Sequence, residues 1–279
     1  MISLTKFKTL ISQYGAVYLI GFIIAFGIKL FYSKAGSDEL EWILAPTVWW
    51  IKILSGITFE KAANLGYINH HFRFIIAPVC SGVQFLIIAF TTVFYSFAHR
   101  LGTKRRSYYW IAFSLGFSYL FTIFVNSFRI ILSLHLLKLD TGGGSMTAER
   151  LHMLVGTAIY FISLLILYQI ARYISLIIGG AVKTSPSREF VEFSLKSLWQ
   201  MIGKYLPPVF WYFAITLGIP ILNRAYQNNS EKFWEYAVFL TGICLAIFAL
   251  FCLGAVLYEC SAKRKRKSAL PFHKMSDII

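Results

Sequence analysis

Three residues of this chain have types that could share one piece of chemistry: Cys80, Arg129 and His152. Cys80 stands in Ala77-Pro78-Val79-Cys80-Ser81-Gly82-Val83-Gln84-Phe85, where an extended segment ends and an apolar run opens at Ser81 and lasts to Phe97. Proline fixes φ and turns its predecessor away from helix, so the spacing predicts Cys80 on the first turn of a buried helix. Unpaired backbone N–H groups and the positive dipole end at such a place favour a thiolate. A thiolate attacks a carbonyl and forms a thioester, an imidazole takes the thiol proton and returns it to the leaving amine, and a guanidinium stabilises the oxyanion. Cys80, His152 and Arg129 are the candidates for these roles. His152 lies close to a helix start capped by Thr147, where the dipole disfavours an imidazolium and suits a neutral base. The backbone N–H groups of Ser81 and Gly82 could join Arg129 at the oxyanion, and Asn126 and Glu149 could orient Arg129 and His152. Each residue also has a plainer reading: a packed thiol, a snorkelling arginine, a histidine bonded to its own loop.

The elements that must position them are membrane helices. Hydrophobic residues make up 57% of the 279 and charged residues only 14%, well under the quarter usual in a soluble domain. Lys and Arg number 27 against 12 Asp and Glu, a formal charge of +15. These basic residues fall in loops and tails between apolar runs, which positive-inside topology explains without nucleic acid as a partner. The pattern predicts an all-α polytopic transmembrane bundle of about six spans. They are Tyr14–Phe31, Ser81–Ala98, Tyr108–Val125 with an apolar continuation to Leu137, Leu151–Ile178, Tyr205–Leu222 and Trp234–Tyr258. Trp42–Ile57 carries Pro46 and three Trp and reads as an interfacial or re-entrant outer helix. Tyr67–Phe74 reads as extended backbone, with His70 and His71 on opposite sides of a strand and at the surface. Phe190–Ile202 reads as an amphipathic helix on the inner leaflet. The basic loop His99–Arg106 and the run Lys263–Lys267 place both termini in the cytoplasm, and the first helix reads as an uncleaved anchor, with a cleavable signal peptide ending near Ser33 and Ala35 as the alternative.

This topology fixes depths. At 1.5 Å per residue, Arg100 back to Cys80 is about 30 Å, Arg106 forward to Arg129 about 34 Å, and Arg172 back to His152 about 30 Å. Those lengths match the hydrocarbon thickness, so three spans present Cys, Arg and His at the outer boundary. The remaining cysteines, Cys244, Cys252 and Cys260, sit too deep or on the inner side to pair with Cys80. The four show neither metal-ligand spacing nor a disulfide framework, and nothing in the sequence implies a cofactor.

APVCSGVQF, NSFRI and HMLVG, in that order on successive membrane helices, resemble the motifs of the exosortase/archaeosortase family over roughly residues 10–180. Members of that family are membrane-embedded cysteine transpeptidases, analogous to sortases, with a Cys–Arg–His catalytic set. The resemblance implies those roles for Cys80, Arg129 and His152. It implies substrates that are exported proteins ending in a short motif, a membrane helix and a basic cluster. Cleavage at the motif would be followed by transfer of the new C-terminus to an acceptor, at the outer face of the cytoplasmic membrane. The implied organisation is a catalytic membrane core over 1–180, a linker with the amphipathic helix over 181–204, a two-helix extension over 205–260 and a basic cytoplasmic tail over 261–279. Three readings compete: a transporter or channel, a hydrolytic intramembrane protease using the same residues, and a non-catalytic assembly factor. The absence of Asp and Glu from the span interiors and of any internal repeat counts against an ion-coupled carrier.

Overall fold

In hydrocarbon a backbone must satisfy its own hydrogen bonds, so apolar runs of spanning length become helices. The computed structural model describes residues 4–136, 148–179, 195–227 and 229–268; the side chains at 4–11, 148–152, 195–202, 204, 255–256 and 258–268 lie outside the described residues. Six helical stretches are long and apolar enough to cross a membrane: Ser12–Lys34, Pro78–Arg100, Lys104–Leu136, Met153–Ile178, Tyr205–Leu222 and Ser230–Gly254. The chain is a multi-pass helical membrane protein.

In chain order the helices are α1 (Leu4–Lys34), α2 (Glu41–Ser55), α3 (Val83–Phe97), α4 (Lys104–Leu136), α5 (Ala148–Ile178), α6 (Leu195–Phe213), α7 (Ile219–Leu222) and α8 (Ser230–Ser268). The α3 stretch is 78% buried and the α8 stretch 17%, so α3 is the central helix and α8 lies at the outside of the bundle. Helices α1, α4, α5 and α6 all pack on α3. Close approach of α4 follows from its buried small polar residues Ser107, Ser114, Ser118, Thr122 and Asn126. Two bonds pin the register: Ser107 Oγ donates to the Ala98 carbonyl at 2.6 Å and Trp110 Nε1 to the Val93 carbonyl at 3.3 Å. At the same end Arg106 Nη1 donates to the Ile178 carbonyl at 3.1 Å and ties α4 to α5.

Helix α2 buries Ile43, Leu44, Thr47 and Ile51 and packs along α4. Pro46 has no N–H to give the Trp42 carbonyl one turn earlier. That acceptor is taken instead by the Tyr119 hydroxyl of α4 at 2.6 Å, and Ser127 Oγ bonds the Thr47 carbonyl at 3.1 Å. A proline inside a helix is thus compensated from a neighbouring span.

A small antiparallel sheet follows in the order β1 (Glu60–Ala62), β2 (Gly66–Asn69), β3 (Phe74–Ile76). The expected extended stretch Tyr67–Phe74 is split into two strands. Asn69 accepts from the Phe72 N–H at 2.8 Å and donates to the Thr58 carbonyl at 2.7 Å, and Arg73 takes φ 50, so residues 70–73 turn. His70 and His71 lie on that turn rather than in a strand, and both are exposed. Lys61 Nζ on β1 donates to Glu41 Oε2 on α2 at 2.8 Å, a hydrogen bond that raises the Lys61 pKa above its ordinary value.

The expected amphipathic helix over Phe190–Ile202 is not separate. From Leu195 it is the opening of α6 and runs without interruption to Phe213, because Gly203 and Lys204 alone are too little to break it; Phe190–Ser194 lie outside the described residues. The helix then widens to a π-turn over Ala214–Gly218 before α7. Helix α8 continues through the basic run to Ser268.

Candidate functional site

Cys80 does not sit on the first turn of α3. Pro78–Cys80 form a 3-10 turn entered from extended Ala77, with the Cys80 N–H on the Ala77 carbonyl at 2.8 Å and the Ser81 N–H on the Pro78 carbonyl at 3.0 Å. Gly82 then takes φ 78, and α3 starts only at Val83. A left-handed residue cannot continue a helix, which is why the apolar run alone misplaced its start. The Ser81 N–H is used within the turn and is not free for an oxyanion. Gly82 has a second reason to be glycine: a Cβ there would meet Asn126 Cγ at 3.1 Å and Thr122 Cγ2 at 3.2 Å.

Asn126 reaches the backbone of Cys80 itself. Its Nδ2 donates to the Cys80 carbonyl at 2.7 Å, and its Oδ1 accepts from the Tyr160 hydroxyl at 2.8 Å. That hydroxyl in turn accepts from Arg129 Nη1 at 3.1 Å. The guanidinium lies over the Tyr160 ring, 5.1 Å from its centroid, and the other side of the site is set by Phe85, stacked on Tyr160 at 4.6 Å and 9°. On α5 the missing side chain of Gly156 admits the arginine, since a Cβ would stand 3.0 Å from Arg129 Nε. Four residues from α4, α5 and the turn before α3 are therefore linked as Arg129–Tyr160–Asn126–Cys80.

Cys80, Gly82, Arg129, Gly156 and Tyr160 line one cavity of about 400 Å³. Cys80 is partly exposed to it, and Arg129 lies within electrostatic range of the sulfur. No Asp or Glu is among the described lining residues. Ser81 is fully buried beneath the turn, its Oγ 3.4 Å from the Val83 N–H, and Tyr32 of α1 faces it from the cavity wall. Among the described residues no group of His, Cys, Asp and Glu could hold a metal ion, and Cys80, Cys244 and Cys252 are free thiols.

Of the residues singled out from sequence, Cys80, Arg129, Asn126, Ser81 and Gly82 are brought together. His152 and Glu149 fall in the first turns of α5, and their side chains lie outside the described residues. His152 stands one helical turn before Gly156, and its neighbour Met153 lines the cavity. Tyr160 joins Arg129 and Asn126 without standing in any of the sequence motifs. Its signal is spacing: it follows Gly156 by four residues and His152 by eight, which places all three on one face of a helix. Comparison of the chain with protein-family models, with curated proteins and with solved structures finds no match.

Proposed function

We propose that this chain is a membrane cysteine transpeptidase of the exosortase/archaeosortase kind, acting at the outer face of the cytoplasmic membrane with both termini inside. The observation that carries the reading is the hydrogen-bonded chain from Arg129 through Tyr160 and Asn126 to the Cys80 carbonyl, beside a cavity that Cys80, Arg129 and Tyr160 line. A structural cysteine needs no such support. A nucleophile does, because a misplacement of about 1 Å costs orders of magnitude in rate.

In the proposed reaction the Cys80 thiolate attacks the carbonyl carbon of a peptide bond. Arg129 and the Gly82 N–H, which has no backbone acceptor among the described residues, hold the oxyanion. Collapse breaks the C–N bond, and His152 gives the proton taken from the thiol to the departing amine. The acyl group stays on Cys80 as a thioester until an acceptor nucleophile attacks the same carbonyl and releases the thiolate. The substrates are exported proteins that carry a C-terminal motif, a membrane helix and a basic cluster.

The test compares the C-termini of exported proteins from cells carrying wild-type protein, Cys80→Ala or Arg129→Lys. Proteins that are shortened in the wild type should keep their full C-terminal segment in Cys80→Ala. Arg129→Lys keeps the charge but loses the planar fork, and should lose most processing. Unaltered processing in Cys80→Ala overturns the proposal.

A further inference from the structure

The two C-terminal spans hold none of the proposed catalytic residues, yet they form a wall of the catalytic cavity. Tyr212 of α6, Thr216 in the π-turn and Tyr236 of α8 line the same space as Cys80 and Arg129. Their placement is built. Tyr212 is only 3% exposed, its ring meets Phe161 of α5 edge-on at 5.2 Å, and Thr157 of α5 lines the cavity beside it. Thr216 Oγ1 donates to the Tyr212 carbonyl at 2.6 Å inside the widened turn. A π-turn changes which residues beyond it face the bundle, and such turns recur at functional sites. Here it falls between Tyr212 and α7, where α6 borders the cavity. The facing wall is also aromatic, with Tyr32, Phe85 and Tyr160. A space of about 400 Å³ walled by rings with a few placed hydroxyls has the make-up of a pocket for an uncharged group with an apolar body.

We propose that Tyr212, Thr216 and Tyr236 form a side-chain pocket that receives an aromatic or branched apolar residue of the substrate beside the carbonyl attacked by Cys80. The C-terminal spans then set selectivity, and the preceding helices supply the chemistry. This rests on the reading of Cys80 as the acyl-accepting nucleophile.

The test uses the full chain in membranes and two thiol reagents, N-methylmaleimide and N-benzylmaleimide, with labelling of the Cys80 peptide followed by mass spectrometry. In the wild type the benzyl reagent should label Cys80 at least about tenfold faster than the methyl reagent, the order of discrimination an apolar pocket gives. Thr216→Trp fills the pocket and should bring the ratio close to one while methyl labelling continues. Tyr236→Ala enlarges it and should extend the preference to N-biphenylmaleimide, which decides the matter independently if the tryptophan variant folds poorly. A wild-type ratio near one, or a reagent ranking unchanged in Tyr236→Ala, overturns the pocket. The catalytic reading fails by a different result, unaltered C-termini of exported proteins in Cys80→Ala.

Discussion

Tyr160→Phe removes one oxygen and leaves the rest of the site in place. The ring still stacks on Phe85 at 4.6 Å and still lies under the Arg129 guanidinium at 5.1 Å, so folding should survive. What disappears is the acceptor of Arg129 Nη1, at 3.1 Å, and the donor to Asn126 Oδ1, at 2.8 Å. Asn126 is fully buried, so its freed oxygen is left as a buried acceptor. A neutral hydrogen bond contributes about 1 kcal/mol and one to a charged group about 1.5–3 kcal/mol. If the chain serves to hold the Cys80 turn and the guanidinium in register, about 1.4–2.8 kcal/mol of that is lost from the transition state, a fall of about 10- to 100-fold in rate. The assay is pulse-chase of an exported protein with a C-terminal sorting segment, with protein level checked alongside. Asn126→Ala should cost a similar factor. The double variant should be little worse than the worse single one, because both break the same chain. Processing of Tyr160→Phe within about twofold of wild type, or single losses that multiply, would refute the claim that these residues act as a unit.

Three further outcomes are expected. Gly156→Ala places a methyl 3.0 Å from Arg129 Nε and should slow processing by about tenfold with normal expression, because the guanidinium must shift by a few tenths of an ångström. Gly82→Ala is strained at φ 78 and crowds Asn126, and should lower the unfolding temperature in detergent by a destabilisation of about 1–2 kcal/mol as well as slowing processing. Tyr119→Phe strips the Trp42 carbonyl of the donor that Pro46 cannot supply and should destabilise by about 1–2 kcal/mol, read as detergent unfolding, with processing kept at permissive temperature.

The spans were legible in the sequence because hydrocarbon imposes one rule, apolar and about twenty residues long, that local composition reports directly. The alignment of Cys80 with Arg129 was legible for the same reason, since helix rise converts residue counts into depth. Other features depend on contacts between elements far apart in the chain. Gly82 adopts a left-handed conformation over Asn126, so the helix start moved from the beginning of the apolar run to Val83. Tyr160 lies in an apolar run, where a tyrosine reads as one more ring; only its position against Arg129 and Asn126 sets it apart. Pro46 leaves the Trp42 carbonyl without its helical donor, and the replacement comes from Tyr119 on another span, which local sequence does not reveal. The share of Tyr212 and Tyr236 in the cavity depends on how helices pack, which hydropathy does not record.

Whether Cys80 carries an acyl group can be measured directly. The Cys80 peptide is recovered at neutral pH from membranes of cells expressing wild-type protein and analysed by mass spectrometry with and without hydroxylamine, which cleaves thioesters. Wild-type protein should yield a peptidyl adduct on Cys80 that hydroxylamine removes, weaker or absent in Arg129→Lys. A Cys80 that remains an unmodified thiol while exported proteins continue to be shortened would contradict the reading of Cys80 as the nucleophile.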